Sequence, residues 1–269
     1  GNRPVLLNSW EASYFDFTGE TICSLAKEAA ALGIDMVVMD DGWFGKRDDD
    51  NSGLGDWVVN EEKLGCSLGN MIGQINALGV KFGIWIEPEM VSEDSELYRK
   101  HPDWTLQVPG RPPVRGRNQL VLDFSRKDVR EYIFERICAV LDQGNIEYVK
   151  WDMNRSITDV YSAANCQGRV LYDYMIGVYD FLEKLIARYP DLLIEGCCII
   201  LPRSGAATTR TRRTGSGFST EPPSSIRPVR WAPMCPQCPT TRRAGRPVSI
   251  PGARWPWQEP LAMSLTPGS

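Results

Sequence analysis

Short apolar runs alternate with longer amphipathic segments over the first 197 residues, and this alternation constrains the fold more than any other feature. Brief apolar runs are typical of strands buried on both faces of a sheet. Five runs predict strands, at residues 5–7, 36–39, 82–86, 148–151 and 192–194. Four segments between them predict helices, at residues 20–32, 66–78, 128–141 and 171–189. Because strands that alternate with helices build a parallel sheet, an α/β fold is expected.

Local signals mark where these elements begin and end. Thr18 is a suitable N-cap for the first long helix, and Gly33 is a suitable stop after it. Residues 98–124 are rich in Pro, Gly and Arg. This stretch therefore predicts a long irregular excursion between a strand and the next helix.

Polar and aromatic residues directly follow each predicted strand. The groups at these strand ends are Trp10-Glu11, Asp40-Asp41-Gly42-Trp43, Glu87-Pro88-Glu89, Asp152-Met153-Asn154-Arg155 and Glu195-Gly196-Cys197. The carboxyl ends of the strands form the catalytic rim of a (β/α)₈ barrel, and doubly wound sheets also bind ligands there. The only histidine, His101, excludes histidine triads and multi-histidine metal sites, and no glycine-rich nucleotide motif occurs.

Carboxylates and tryptophans without a catalytic histidine are the residues that glycoside hydrolysis uses. Lys150 precedes Asp152 by two residues, so period two places both on one face of a strand. Structural alternatives stay open at this point. Asp40-Asp41-Gly42 fits a turn, Lys150 and Asp152 fit a structural ion pair, Glu87-Pro88-Glu89 fits a helix cap, and the tryptophans fit a core.

The ordered motifs of the chain carry a resemblance to a known family. They are Trp10-Glu11-Ala12, Asp40-Asp41-Gly42-Trp43-Phe44, Gly83-Ile84-Trp85-Ile86-Glu87-Pro88-Glu89-Met90, His101-Pro102-Asp103-Trp104, Gly116-Arg117-Asn118-Gln119-Leu120-Val121-Leu122-Asp123, Lys150-Trp151-Asp152-Met153-Asn154-Arg155 and Glu195-Gly196-Cys197. In this order they resemble bacterial α-galactosidases of glycoside hydrolase family thirty-six. The resemblance covers nearly all of residues 1–197 and implies a (β/α)₈ TIM barrel, of which the chain offers about five of eight strands.

The resemblance also implies a retaining α-galactosidase that hydrolyses terminal α-galactosides such as melibiose and raffinose. Asp152 is then the nucleophile. The implied sugar-binding residues are Trp10, Asp40, Asp41, Trp85, Arg117, Lys150, Asn154 and Cys197. Asp40 and Asp41 would bind sugar hydroxyls, and Trp85 would form an apolar wall. A small-molecule galactoside is the expected partner. Neither metal nor organic cofactor is expected, and the absence of a leader segment and of a membrane-spanning run points to the cytoplasm.

Composition changes abruptly after Cys197. Residues 1–197 carry a net charge of −12, whereas residues 198–269 carry ten arginines, two glutamates and twelve of the 19 prolines. Three parts of this tail can be written with synonymous codons that, when translated in one shifted reading frame, give sequences resembling later motifs of the family. We therefore expect a partial catalytic barrel domain at 1–197 and a frameshifted, unstructured tail at 198–269. Ala207 and Thr208 then stand where the general acid is expected, which predicts an inactive chain. About five strands of eight predict an incomplete barrel, and the resemblance implies further β-rich domains around the barrel, so a partial sequence is expected.

Several alternatives stay open on sequence alone. A related α-N-acetylgalactosaminidase or galactosyl-transfer activity would use the same motifs. A non-catalytic galactoside-binding remnant would keep the sugar-binding residues without turnover. A basic tail that binds nucleic acid is disfavoured, as is a zinc site at Cys235 and Cys238, which lack a second ligand pair. Whether the parent enzyme is a homo-oligomer is left open.

Overall fold

The computed structural model describes residues 3–196 of the 269-residue chain. Five parallel strands form its sheet, in the spatial order β1-β2-β3-β6-β7. These strands are β1 (Leu6–Asn8), β2 (Met36–Met39), β3 (Lys81–Ile86), β6 (Ile146–Trp151) and β7 (Leu193–Gly196). The five predicted strands and their parallel arrangement are confirmed. The predicted tail at 198–269 lies outside the described residues, as does Cys197.

Strands β2 and β3 are buried because their residues are almost all apolar on both faces of the sheet. All four residues of β2 are buried, as are five of the six in β3. Gly83 in β3 lies opposite Tyr148 of β6, and a Cβ at this glycine would meet the Tyr148 ring at 2.7 Å. The sheet interior thus depends on one glycine that leaves room for an aromatic ring.

Helices cover the sheet, and the first long one, α2, begins at the cap that the sequence predicts. The helices are α1 (Trp10–Ser13), α2 (Gly19–Ala31), α3 (Glu61–Leu64), α4 (Leu68–Ala77), α5 (Glu96–Lys100), α6 (Lys127–Leu141) and α7 (Val170–Arg188). Thr18 closes a capping box at the start of α2, and Gly33 follows its end with a φ of +73°. The four long helices confirm the predicted segments to within about two residues at each end.

The excursion predicted at residues 98–124 is more ordered than expected. It contains the end of α5, a 3₁₀ turn at Pro102–Trp104 and strand β5 (Leu120–Val121). Strand β5 pairs in antiparallel fashion with β4 (Met90–Val91), which follows the end of β3. Glu87-Pro88-Glu89 therefore leads into a short strand, and the helix-cap interpretation of this motif is wrong.

Among residues 3–196, no helix is both long enough and apolar enough to cross a bilayer. The same residues contain no group of three or more side chains placed to hold a metal ion.

Candidate active site

The carboxyl ends of β2, β3 and β6 bring the candidate residues to one rim of the sheet. Asp40 follows β2, Glu87 follows β3 and Asp152 follows β6. Because β3 lies between β2 and β6 in the sheet, the three carboxylates come from adjacent strands. Lys150 is inside β6, paired in register with Trp85 of β3. Sequence positions more than 100 residues apart thus meet at this edge.

Asp152 is buried and receives three N–H groups. Its Oδ2 accepts hydrogen bonds from the indole nitrogen of Trp85 at 3.0 Å and from Nδ2 of Asn154 at 2.9 Å. Its Oδ1 accepts from the backbone nitrogen of Met153 at 3.0 Å. Its own backbone nitrogen donates to the carbonyl of Ile86 in β3. Three donors and a fixed backbone hold this side chain in one orientation, suited to a carboxylate anion.

Trp85 reaches the site through its indole nitrogen. Its side chain is only 1% exposed and lies in a cluster with Phe44 and Trp57, stacked on Phe44 at a ring separation of 6.2 Å. The nitrogen of Trp43 in turn donates to the Trp85 carbonyl. In the described residues the N–H of Trp85 contacts Asp152 and its ring is covered by neighbouring side chains, and the apolar wall for a sugar stays a prediction.

Lys150 forms an ion pair with Asp40. Its Nζ lies 2.8 Å from Oδ2 of Asp40, and that oxygen also accepts from Asn8 at 2.6 Å. The backbone nitrogen of Asp40 donates to the Ser9 hydroxyl. Period two placed Lys150 on the same face as Asp152, but it could not show that the ammonium group also reaches across the sheet to Asp40. The lysine therefore ties the end of β2 to β6.

Asp41 is held by an arginine that sequence reasoning missed. The Arg47 guanidinium donates from Nε to Oδ1 at 3.0 Å and from a terminal nitrogen to Oδ2 at 2.8 Å. Burial raises the pKa of the Asp41 carboxyl, and the Arg47 charge opposes that shift. Arg47 lies in the loop after β2, where no strand or helix period marks it. Its fork fixes the direction of the Asp41 carboxylate.

Arg117 and Asn154 are in direct contact. One terminal nitrogen of Arg117 donates to Oδ1 of Asn154 at 2.9 Å, and the other lies 3.8 Å from a carboxylate oxygen of Asp50. The backbone of Arg117 has a φ of +49°, in the left-handed region that side-chain-bearing residues rarely adopt. Such strain is often found where a functional side chain must be aimed in one direction.

Glu87 is a site residue whose role the sequence did not reveal. It is fully buried and accepts hydrogen bonds from Gln119 and Asn154. Burial first, and the nearby charge of Asp152 second, raise its pKa to about 7. Gln119 belongs to the Gly116-Arg117-Asn118-Gln119 motif, which was the one sequence signal for this contact.

Trp10 lies at the start of α1 and is linked to the site through Asn8. Its backbone nitrogen donates to Oδ1 of Asn8, whose amide group contacts Asp40. Its ring packs edge-on against Tyr14 and Phe15. The structure thus brings together all the predicted site residues except Cys197, which lies outside the described range. Trp10 is joined to the rest through Asn8 and through Phe15, whose ring also faces the Arg47 guanidinium.

A parallel α/β sheet whose adjacent strand ends gather buried carboxylates, a lysine and an indole nitrogen places the chain in the (β/α) barrel class, here with five strands in a half-barrel. The sequence profile of the melibiase family matches residues 1–205. The chain therefore belongs to the melibiase family, the glycoside hydrolase family thirty-six α-galactosidases.

Relatives of known activity support the same assignment. The bifunctional α-galactosidase/sucrose kinase AgaSK of Mediterraneibacter gnavus is 69% identical over 195 residues, which are 72% of this chain and 20% of that protein. α-Galactosidase AgaA of Geobacillus stearothermophilus is 54% identical over 198 residues, 72% of this chain and 27% of AgaA. The chain thus spans between a fifth and about a quarter of the length of these relatives.

Solved structures agree with the sequence relatives. The galactosidase domain of AgaSK superimposes with a TM-score of 0.70 at 68% identity, covering 73% of this chain and 27% of that one. A variant of AgaA in complex with raffinose gives a TM-score of 0.70 at 54% identity, covering 72% of this chain and 28% of that one. Another AgaA variant was solved with stachyose. The described residues therefore match the barrel domain of this family.

Proposed function

We propose that this chain carries the nucleophile side of a retaining α-galactosidase site, with Asp152 as the attacking carboxylate. The observation that carries the proposal is the arrangement at Asp152, a buried carboxylate on the strand-end rim that accepts three N–H groups. The relatives' names and the raffinose and stachyose complexes point to terminal α-galactosides as the substrate class. Asp40, Asp41 and Arg117 then bind sugar hydroxyls.

The chemistry that we propose needs two carboxyl groups. A carboxylate oxygen of Asp152 bonds to the anomeric carbon as the bond to the leaving oxygen breaks, and that oxygen takes a proton from a second, protonated carboxyl. In retaining enzymes the two groups lie about 5–5.5 Å apart. Water then attacks the galactosyl-enzyme ester, and the second carboxyl removes its proton. The anomeric configuration is thereby retained.

We propose that no carboxyl group in residues 3–196 acts as this general acid. Asp40 is paired with Lys150 and Asp41 with Arg47. Glu87 has no exposed surface from which to reach a leaving oxygen. We further propose that the chain continues after Cys197 in a shifted frame, as residues 198–269 of the tail, and therefore does not hydrolyse unactivated galactosides. The nucleotide sequence over codons 195–205 tests the frameshift.

The nucleophile is tested with a substrate that needs no general acid. With a ring-fluorinated α-galactosyl fluoride, the carbon–fluorine bond at the anomeric carbon breaks with its electron pair, so fluoride leaves without a proton. The ring fluorine slows attack by water, and the ester accumulates. We expect mass spectrometry of the 269-residue chain to show one added fluorogalactosyl group, located on the peptide that contains Asp152.

Matched variants sharpen this experiment. Asp152→Asn should abolish labelling, whereas Asp159→Asn, another buried aspartate, should keep it because Asp159 contacts Arg111 and Val114. Absence of label from the unaltered chain would refute Asp152 as a nucleophile. Release of galactose from melibiose or raffinose by the unaltered chain would refute the missing general acid and leave the nucleophile assignment intact.

A further inference from the structure

Glu87 is linked to the proposed nucleophile through Asn154. In every hydrogen bond of its side chain within the described residues, Glu87 is the acceptor. Its Oε1 accepts from Nε2 of Gln119 at 2.8 Å and from the backbone nitrogen of Asn154. Its Oε2 accepts from Nδ2 of Asn154 at 3.2 Å. The side chain has no solvent exposure. Removing a carboxylate from water costs several kcal/mol, and its hydrogen bonds offset that cost only in part. The position of Glu87 next to the site therefore needs an explanation.

The carboxamide of Asn154 connects Glu87 to Asp152. Its Nδ2 carries two hydrogens, and the structure directs one toward Oε2 of Glu87 and one toward Oδ2 of Asp152. Its Oδ1 accepts from Arg117. Each atom of the amide thus faces a partner of opposite hydrogen-bonding character, in one orientation only. Rotating the amide by half a turn would set its oxygen against two carboxylates and its NH₂ group against a guanidinium.

We propose that Glu87 is a positioning residue for the nucleophile, which fixes the amide of Asn154 so that its N–H group, and not its oxygen, faces Asp152. This inference rests on the proposed role of Asp152. Glu87 touches neither Asp152 nor a sugar directly in the hydrogen bonds of the structure, and it acts through Asn154. It anchors both the backbone and the side chain of Asn154, so it also sets the distance from that residue to the attacking oxygen.

Glu87→Gln is the informative change because it keeps size and shape while replacing one oxygen with a donor. If the new amide keeps its oxygen toward Gln119 and the Asn154 backbone, its NH₂ group meets Nδ2 of Asn154. Asn154 can relieve this only by rotating, which sets its oxygen against Asp152. A hydrogen bond between a neutral donor and a charged acceptor is strong enough that its loss slows a reaction by about tenfold to a hundredfold.

Glu89→Gln is the matched control. Glu89 is also fully buried, two residues further along, but it accepts from Trp151 and Tyr174 and has no hydrogen bond to Asn154 or Asp152. We expect Glu87→Gln to slow labelling by the fluorinated galactosyl fluoride about tenfold or more, and Glu89→Gln to change it by less than about threefold. Equal slowing in both variants would overturn the proposal, because burial alone would then account for it.

A double-mutant cycle tests whether Glu87 acts through Asn154. In an Asn154→Ala background, Glu87→Gln should have no further effect on the labelling rate, since the group that it positions is gone. Full additivity of the two changes would contradict the proposal. Circular dichroism of all four proteins checks that each one folds.

A second measurement does not depend on labelling. Above about pH 7, where Glu87 is a carboxylate, nuclear magnetic resonance of the ¹⁵N-labelled chain follows solvent exchange of the Asn154 side-chain amide, which the Glu87 and Asp152 oxygens should protect. We expect Glu87→Gln to accelerate this exchange at least about tenfold and Glu89→Gln to leave it unchanged. Unchanged exchange in Glu87→Gln would overturn the positioning role. Failure of the unaltered chain to label, with accelerated exchange in Glu87→Gln, would instead refute Asp152 as nucleophile and leave the contact established.

Discussion

The raised pKa of Glu87 makes the free energy of unfolding depend on pH. The Glu87→Gln variant, which cannot titrate, separates this contribution from those of the other groups. The carboxyl has an ordinary value of 4.5, and burial followed by the charge of Asp152 raises it to about 7 in the folded chain. Between these values the folded state holds a proton that the unfolded state has released. Because the folded state then binds more protons, the free energy of unfolding falls as pH rises through this window.

The size of the effect follows from the same two values. One pH unit corresponds to about 1.4 kcal/mol, so the separation between 4.5 and about 7 corresponds to about 3 kcal/mol. This stability is present below about pH 4.5 and is lost as the pH passes about 7. Glu87→Gln cannot titrate. Its stability relative to the unaltered chain should therefore rise by about 3 kcal/mol between about pH 4.5 and about pH 8.

Urea unfolding followed by tryptophan fluorescence measures this difference. Both proteins are unfolded at both pH values, and the pH dependence of the unaltered chain is compared with that of Glu87→Gln. Glu89, whose pKa burial also raises, titrates in both proteins and cancels in the comparison. Equal pH dependence in the two proteins would show that Glu87 does not hold its proton in the folded state near neutral pH, and the argument from burial would fail.

Three further substitutions test packing and charge elsewhere in the structure, each by the same unfolding measurement. Gly177→Ala in α7 should destabilise by about 3 kcal/mol or more, since its Cβ would lie 2.0 Å from the backbone oxygen of Phe124. Gly73→Ala in α4, where nothing lies within 4 Å, should instead stabilise by about 0.5–1 kcal/mol, and a loss there equal to that of Gly177→Ala would contradict the contact. Arg47→Met should cost about 3 kcal/mol because it leaves the buried Asp41 charge unpaired, and an unchanged midpoint would show that the ion pair contributes little.

The long elements could be predicted because their signals are local. The apolar run at residues 36–39 became a fully buried strand, and Thr18 capped its helix as its side chain predicts. The short strands β4 and β5 could not be predicted in this way. Met90 pairs with Val121 about thirty residues later, so neither segment carries a period of its own. Two-residue strands depend on each other, and that dependence is not visible in a local window.

The candidate site could be predicted as a set of residues, but not as a set of contacts. Strand ends placed Asp40, Lys150 and Asp152 on one rim because parallel strands end at the same edge. Which carboxylate pairs with Lys150 depends on the spatial order of β2, β3 and β6, which sequence spacing does not give. Arg47 was missed for a similar reason, since the long side chain of a loop arginine can reach acids that no sequence period identifies.

The two glutamates of Glu87-Pro88-Glu89 lie two residues apart, but their side chains face different parts of the structure. Glu89 is turned toward the helix layer, where the Tyr174 hydroxyl of α7 and the Trp151 indole satisfy it, and its burial joins the end of β3 to that helix. Glu87 is turned toward the rim, where its contact with Asn154 leads to Asp152. Both carboxyls are costly to bury, but only Glu87 lies beside another acid, Asp152. A fold selected for stability alone would not place it there, so its position is better explained by what it does to Asn154 than by what it adds to the core.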